Sequence, residues 1–317
     1  MLALAEEIIR GRRLKREDDL HTFADCDLDS LLIGADRIRA HFVGAHVDLC
    51  SIINGRSGRC PEDCKYCAQS AHNHTDCQVY DFLPEETILA ACKANEAEGV
   101  HRFSIVTAGR ALTGEEFEQA LSAYRAMKKN GKIKLCASMG FVSAEQLHAL
   151  HEAGVTSYHH NIETSRRYFP QICSTHTFDQ KLETLRLIRS EGMKVCSGGI
   201  IGMGETFEDR IDMALTLSEY EADSIPINTL MPIPGTPLED KPPLAEEEIL
   251  RTIAMFRYIN PGAQIRLAAG RALLSGDGER AFQGGASATI TGNMLTTAAA
   301  ATIRKDREML KKMGRTL

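Results

Sequence analysis

The 317-residue sequence has no long apolar run, and this absence sets the first limits on its class. No stretch approaches the roughly 18 consecutive apolar residues that a membrane-spanning helix requires. The N-terminal stretch MLALAEEIIRGRRLKREDDL lacks the basic start and apolar centre of a secretory signal, and its acidic residues argue against a transit peptide. We therefore expect a cytoplasmic protein that has no membrane partner.

The sequence is also poor in basic charge, with 37 Lys and Arg against 43 Asp and Glu. The formal net charge of -6 argues against a nucleic-acid partner, because phosphate binding depends on clustered Lys and Arg. The one basic run, RAMKKNGKIK, follows a helical pattern and is interpreted as a solvated helix end. No linker rich in Pro, Gly or Ser divides the chain, which favours a single domain.

Short β-branched or apolar runs alternate with amphipathic helical runs along most of the chain. This alternation is typical of parallel strands joined by crossover helices. The eight strand candidates are HVDLCSI, HRFSIVTA, IKLCASM, TSYHHNI, KVCSGGI, DSIPINTL, QIRLAA and SATIT. Eight such units close naturally into a (β/α)8 TIM barrel, in which active sites form at the C-terminal ends of the strands.

The α/β barrel is predicted to occupy residues 46–292 of one domain that spans the whole chain. A helical extension at 1–45 precedes it, with helices at about 3–13 and 28–42. A C-terminal helical segment at 293–317 follows the barrel and contains a capping helix, RKDREMLKKMG.

Two of the predicted crossover helices carry clear boundary signals. Pro84 and an acidic first turn suit the start of the helix in PEETILAACKANEAEG, and Gly99 suits its end. In SAEQLHALHEAG, Ser143 is the predicted N-cap, Gln146 its capping-box partner, and Gly154 lies beyond the end.

Three thiols stand close together in RCPEDCKYCAQSAHNH, where Cys60, Cys64 and Cys67 form a C-x3-C-x2-C array just after the first predicted strand. Cysteines in a chain without a secretion signal should be mostly reduced, so this grouping indicates metal binding or catalysis. Structural zinc takes four protein ligands, and the fourth would be His72, His74 or a distant cysteine. A [4Fe–4S] cluster on three thiolates instead leaves one iron open to a substrate or cofactor. A non-catalytic zinc or iron–sulfur module remains the alternative from another class.

The CPEDCKYC loop resembles the signature of the radical S-adenosylmethionine superfamily. There the open iron binds the amino and carboxylate groups of S-adenosylmethionine, and an electron cleaves it to a 5'-deoxyadenosyl radical. The motifs YHHNIETS, VCSGGIIGMGET, IPINTLMPIPGTPL and IRLAAGR then follow in the order and approximate spacing seen in the biotin synthase family, over nearly the whole chain. That family inserts sulfur into dethiobiotin and uses an auxiliary iron–sulfur cluster as the sulfur donor.

The resemblance implies several S-adenosylmethionine contacts. Tyr66 matches an aromatic residue associated with adenine placement, Glu163 an acidic residue on the ribose hydroxyls, and Lys181 a basic residue that meets the methionine carboxylate. Small residues at a strand end, including Gly198 and Gly199, would permit close backbone approach to the cofactor.

Other matches imply contacts with dethiobiotin. Asn161 and Asn228 match positions whose amides contact the ureido ring, and an amide offers both a donor and an acceptor to a cyclic urea. Thr296 and Thr297 match hydroxyl donors near the carboxylate tail of the substrate. The family also implies a homodimer and a flavodoxin or ferredoxin as electron donor.

The auxiliary site departs from the usual family pattern, in which three cysteines and one arginine hold a [2Fe–2S] cluster. Cys136, Cys196 and Arg266 match three of those positions, whereas Ser104 stands at the position of the strand-two cysteine. A serine hydroxyl is a far poorer iron ligand than a thiolate. Either the cluster is lost, or an alkoxide replaces the thiolate, or another cysteine anchors a different cluster.

Three cysteines could replace the missing thiolate: Cys92 on the preceding helix, Cys50 on the first strand, and Cys173 near the rim. Cys92 would have to reach through the sheet, and Cys50 is expected to be one residue out of phase with the inward positions. We favour a retained auxiliary cluster that is larger than [2Fe–2S], such as a cubane with an extra labile sulfide. A biotin-synthase-like radical enzyme with another substrate, a mutase or a cofactor maturase, remains open.

Overall fold

The computed structural model describes residues 1–292 and 303–317. Its parallel strand segments are β1 (Asp48–Arg56), β2 (Arg102–Thr107), β3 (Lys134–Ser138), β4 (Val155–His159), β5 (Lys194–Cys196), β6 (Gly199–Ile201), β7 (Ser224–Thr229), β8 (Gln264–Leu267) and β9 (Ala288–Ile290). They follow one another in the order β5-β4-β3-β2-β1-β9-β8-β7-β6, and a further pairing of β5 with β7 closes the ring. Since β5 and β6 are two parts of one strand position, the predicted eight-membered (β/α)8 barrel is confirmed.

Helices surround this barrel. They are α1 (Leu2–Ile9), α2 (Thr22–Asp25), α3 (Leu28–Phe42), α4 (Glu85–Ala97), α5 (Gly114–Asn130), α6 (Ala144–Glu152), α7 (Phe169–Ile172), α8 (Phe178–Ser190), α9 (Phe207–Glu219), α10 (Glu246–Ile259), α11 (Glu279–Phe282) and α12 (Ile303–Lys312). Two short 3-10 helices cover Arg271–Leu273 and Ser275–Gly278. Among the described residues, no helix combines the length and apolar character needed to span a bilayer.

Local signals placed several helix boundaries correctly. Ser143 accepts from the backbone N–H of Gln146, whose side chain accepts in return from the Ser143 N–H, which completes the capping box of α6. Pro84 is the N-cap of α4. The first helix was predicted to reach residue 13 but ends at Ile9, because Gly11 adopts a left-handed conformation with φ 114°.

The barrel strands are buried on both faces. On β1, Leu49 and Ile53 are fully buried in the hydrophobic core, whereas Asp48, Cys50 and Ile52 line a central cavity of about 780 Å³. Strands of this kind lack the alternation of apolar and polar residues that distinguishes an inner face from an outer one.

The C-terminal segment returns to the start of the first strand. The Val47 N–H donates to the Thr316 carbonyl at 2.9 Å, and Arg307 on α12 donates to the Glu98 carbonyl at 3.0 Å. These bonds fix α12 beside the end of α4 and the N-terminal end of β1.

Candidate active site

The three-thiol loop follows the C-terminal end of β1, on the face where barrel enzymes act. The Cys60 N–H donates to the Gln69 carbonyl at 3.0 Å, and the Cys60 carbonyl accepts from the Ala71 N–H at 2.8 Å. Inside this closure, Asn73 Nδ2 donates to the carbonyls of Cys64 at 3.2 Å and Cys67 at 2.8 Å. The loop geometry is therefore set by hydrogen bonds within the loop and by a bond to α7, in which the Lys65 N–H donates to the Ile172 carbonyl at 3.0 Å.

We call Cys60, Cys64 and Cys67 the rim thiols. All three are half-buried. Burial raises the pKa of Cys67 to about 11, and it also raises the pKa of Cys60. Because only thiolates bind metals tightly, a bound cation must supply the charge that keeps these groups deprotonated. Three closely spaced thiols of this kind fit a cluster with one open iron.

Residues from β4 and its following loop approach the rim thiols. Asn161 Nδ2 donates to the Glu163 carboxylate at 3.3 Å, and burial, with a contribution from that carboxylate, raises the pKa of Tyr66. Glu163 adopts a positive φ of 72°, an uncommon conformation for a residue with a side chain. Cys173 and burial raise the pKa of Cys64; Glu163 adds to this rise and Lys181, buried on α8, opposes it, so both charges lie near the loop. Four expected cofactor or substrate contacts thus meet in one region.

Gly198 and Gly199, which are expected to let the cofactor approach, also lie against neighbouring protein backbone. A Cβ atom at Gly198 would clash with the Pro226 carbonyl, and one at Gly199 would clash with the Glu163 carbonyl. The missing side chains therefore allow neighbouring protein backbone to pack closely, whether or not a ligand also approaches.

The two asparagines expected to meet the substrate line the central cavity. Asn161 Oδ1 accepts from the Gly198 N–H at 3.0 Å. Asn228 Nδ2 donates to the Gly199 carbonyl at 3.1 Å, and its Oδ1 accepts from the Ala269 N–H at 3.2 Å. These bonds hold both amide planes in fixed orientations. Thr296 and Thr297 lie outside the described residues.

A second group of thiols lines the same cavity deeper in the barrel. Cys136 comes from β3 and Cys196 from β5, while Ser104 is paired with Cys136 on the neighbouring strand β2. Cys50, on β1, also lines the cavity, so the expectation that it is out of phase is wrong. We call Cys50, Cys136 and Cys196 the interior thiols.

The interior thiols share one electrostatic environment. Burial raises the pKa of each thiol, and the nearby Arg266 guanidinium partly opposes that rise. The charges of Cys136 and Cys196 in turn act on Cys50. Three cysteines from three strands therefore line one cavity, which fits an iron–sulfur cluster better than the two matched cysteines alone.

Arg266 is held by protein groups on several sides. Its guanidinium donates to the Asp48 carboxylate at 2.6 Å, the Asp48 carbonyl at 3.1 Å and the Thr289 carbonyl at 3.0 Å. Arg102 donates to the same Asp48 carboxylate at 2.7 Å. Although burial acts in the opposite direction, these two guanidinium groups lower the pKa of Asp48 to about 2. Asp48 thus fixes Arg266 in its protonated form.

The other two replacement candidates lie elsewhere. Cys92 is buried in the hydrophobic core on α4 and does not line the central cavity. The sheet lies between this helix and the barrel interior, so the Cys92 side chain cannot reach the cavity. Cys173 is buried at the rim, with its sulfur 3.8 Å from that of Cys64.

Sequence reasoning missed His159 as a site residue. Its Nδ1 lies 3.4 Å from the Cys196 sulfur, and its side chain lines the cavity with those of Ser157 and Asn161. Burial lowers the pKa of His159 to about 4, so the imidazole is neutral near pH 7. The available signal was its place at the end of β4, two residues before Asn161, since alternate residues of an extended chain share a face.

Two family models match the chain. The radical SAM superfamily model matches residues 56–217, and the Biotin and Thiamin Synthesis associated domain matches residues 226–316. Together they span the rim thiols, Cys136, Cys196 and both asparagines, whereas Cys50 lies just before the first matched range.

Two relatives that match nearly the whole chain are biotin synthases, and a solved structure has a similar fold. Biotin synthase from Alkaliphilus metalliredigens is 58% identical over 311 residues, which cover 98% of each chain. Biotin synthase from Clostridium beijerinckii is 58% identical over 314 residues, which cover 99% of each chain. The solved structure of methylornithine synthase, 21% identical, has a TM-score of 0.84 over 99% of this chain and 96% of that one. The latter likeness concerns the fold alone.

Proposed function

The chain belongs to the biotin synthase family of radical S-adenosylmethionine enzymes, and from this membership we propose that it inserts sulfur into dethiobiotin to form biotin. One observation carries the proposal. The interior thiols and the amides of Asn161 and Asn228 line the same cavity, so a sulfur-donating cluster and a cyclic urea would be neighbours there.

The rim thiols would hold a [4Fe–4S] cluster through Cys60, Cys64 and Cys67. When bound, that cluster supplies the electron that cleaves S-adenosylmethionine into a hydrogen-abstracting radical. The protein contributes orientation: Glu163 offers carboxylate oxygens to ribose hydroxyls, Lys181 offers a cation to the methionine carboxylate, and Tyr66 offers an aromatic surface. Tyr66 and Glu163 are close enough to interact electrostatically, so two of these contacts are neighbours.

The interior thiols would hold the auxiliary cluster, with Cys50 in place of the missing thiolate. Arg266 is a poor candidate for a fourth ligand, because its donors are engaged by Asp48 and Thr289 and a protonated guanidinium has no free lone pair. Three thiolates without the arginine suit a cubane that carries an extra sulfide better than a [2Fe–2S] cluster. When bound, this cluster supplies the sulfur atom.

Substrate binding would rest on side chains that are already oriented. The fixed amides of Asn161 and Asn228 present donors and acceptors that suit the N–H and C=O groups of the ureido ring. Neutral His159 adds a ring nitrogen between Cys196 and the substrate end of the cavity. Thr296 and Thr297 remain the proposed contacts to the carboxylate tail.

The rival functions lose their support. Ser104 favoured a mutase or a maturase without a sulfur donor, but Cys50 supplies a third interior thiol in its place. A purely structural zinc or iron–sulfur module would need neither the interior thiols nor the asparagines beside them. We further propose a cytoplasmic homodimer that receives electrons from a flavodoxin or ferredoxin, as the family implies.

An anaerobic assay tests the proposed function. The reconstituted protein is mixed with dethiobiotin, S-adenosylmethionine and a reductant, and we expect biotin to form as cluster sulfide is lost. Iron analysis with Mössbauer spectroscopy should find about eight irons per chain for two cubanes, against about six if the second cluster is [2Fe–2S] and about four if that site is empty. Deoxyadenosine without biotin would instead favour the rival radical enzyme.

A further inference from the structure

Cys173 lies beside the rim thiols although it is 109 residues from Cys64 in sequence. It occupies the loop between α7 and α8, is 4% exposed, and has its sulfur 3.8 Å from the Cys64 sulfur. Buried His176 follows three residues later, with Nδ1 3.3 Å and Nε2 3.8 Å from the Cys173 sulfur. The ligand atoms of Cys64, Cys173 and His176 all lie within 4.8 Å of one another.

These separations match the edges of a tetrahedral metal site. With metal–sulfur bonds of about 2.3 Å and metal–nitrogen bonds of about 2.0 Å, ligand atoms are separated by roughly 3.8 Å for two sulfurs and 3.5 Å for sulfur and nitrogen. The observed separations of 3.8 Å for Cys64–Cys173 and 3.8 Å for Cys173–His176 are close to these values. The side chains therefore need only small movements to share one cation.

Two carboxylates support these side chains. Asp63 Oδ1 lies 3.2 Å from the Cys173 sulfur and accepts from the Ser174 N–H at 2.8 Å. His176 Nδ1 contacts the Glu62 carboxylate, whose other oxygen accepts from Arg110 at 3.0 Å. A histidine that donates through Nδ1 to a carboxylate presents Nε2 to a metal in the correct tautomer.

We propose that Cys64, Cys173 and His176 form a mononuclear site for a divalent, thiolate-binding cation such as Zn²⁺ or Fe²⁺. Two sulfurs and one nitrogen are ligands that such cations accept in tetrahedral geometry, with water in the fourth position. In the cluster-free protein, the bound ion holds the loop that carries the rim thiols against the loop between α7 and α8. Because Cys64 serves both sites, the single ion must leave before a cluster forms on the rim thiols. The ligand geometry is independent of the substrate proposed above.

Cobalt binding to the full-length, cluster-free protein tests the site under anaerobic conditions. The parent for this test carries Cys60→Ser and Cys67→Ser, so that only Cys64 remains of the rim thiols. We expect it to bind one more Co²⁺ by equilibrium dialysis than the same protein with Cys173→Ala. The difference spectrum should contain sulfur-to-cobalt charge-transfer bands and tetrahedral d–d bands. Adding Cys77→Ala to the parent is the matched control and should change neither.

A second variant keeps every ligand in place. Glu62→Gln removes the carboxylate that orients His176 and should weaken this Co²⁺ site by about 10- to 100-fold. Circular dichroism checks that each variant folds. Equal cobalt stoichiometry and spectra with and without Cys173 would overturn the proposed site. A Co²⁺ affinity that neither Glu62→Gln nor Cys173→Ala changes would do the same.

Competition with cluster assembly gives an independent measurement. Preloading the otherwise unmodified protein with Zn²⁺ should slow the rise of iron–sulfur absorbance during reconstitution by at least about tenfold, and Cys173→Ala should relieve this delay. Zinc held by the interior thiols would slow cluster assembly equally in the unmodified protein and in Cys173→Ala. An equal delay in both, or none in either, would refute the exclusion between the single ion and the cluster.

Discussion

The two thiol groups of this barrel are built in opposite ways. The rim thiols come from eight consecutive residues of one loop, are half-buried, and are ordered by hydrogen bonds within that loop and to α7 and the loop that follows it. The interior thiols come from β1, β3 and β5, and the closed sheet alone brings them together. Changes at one group should therefore leave the other intact, and the difference can be tested one region at a time.

The largest expected effect follows loss of a rim thiol. Cys60→Ala should lower deoxyadenosine formation by at least about 1000-fold, equivalent to about 4 kcal/mol, because two thiolates do not retain the first cluster. The interior cluster should persist as residual iron with its own Mössbauer spectrum. Cys77→Ala is the matched control and should behave as the unmodified protein. Rapid S-adenosylmethionine cleavage by Cys60→Ala would show that the rim thiols do not act as proposed.

A comparably large but selective effect is expected at Cys50. Cys50→Ser should lower biotin formation by at least about 100-fold, about 3 kcal/mol, and leave S-adenosylmethionine cleavage within about twofold. Ser104→Ala, on the neighbouring strand, should keep most biotin formation. The double exchange Cys50→Ser with Ser104→Cys restores three thiols and should recover auxiliary iron. If Ser104→Ala were the damaging change, the assignment of Cys50 would be wrong.

A moderate effect on stability is expected at Asp48. Asp48→Asn leaves Arg266 and Arg102 without their shared carboxylate and should reduce the free energy of unfolding by about 3 kcal/mol. Denaturant unfolding of the cluster-free protein at pH 7 measures this loss. Iron loading of the rim thiols after refolding should not change. This result would show that the rim thiols do not depend on Asp48.

The same carboxylate predicts a pH dependence. The pKa of Asp48 is lowered to about 2, so its contribution to stability is complete above its unfolded pKa near 4. That contribution, about 2 kcal/mol, is lost as the pH falls through 4 towards 2 and is constant between pH 5 and 7. Asp48→Asn should flatten this part of the unfolding profile. An identical acid profile in both proteins would contradict the paired state of Asp48.

The smallest effect is expected away from both thiol groups. Ser143→Ala removes the N-cap of α6 and should cost about 1 kcal/mol of unfolding free energy. Neither iron content nor biotin formation should change, which gives a baseline for purely structural loss. Ser143→Asp, which keeps a capping oxygen, should restore most of the stability. A change in iron content on removal of this cap would indicate wider coupling than we infer.

Much of the architecture was readable from local patterns. The eight strand positions and the α6 capping box follow from alternating apolar runs and from residue types with known backbone preferences. The end of α1 was misjudged because the amphipathic pattern continues past Gly11 while the backbone does not. The sequence pattern predicted the wrong face of β1 for Cys50, because both faces of this strand are buried and Cys50 resembles a core residue.

The sequence alone determined the rim thiols, because a spacing of a few residues limits how far apart three side chains in one loop can lie. Only the tertiary structure decided which cysteines face the barrel interior and that Cys173 meets Cys64. Those separations depend on strand pairing, phase and ring closure over more than a hundred residues. Such distances are fixed by hydrogen bonds and packing between elements, which short-range sequence patterns do not record.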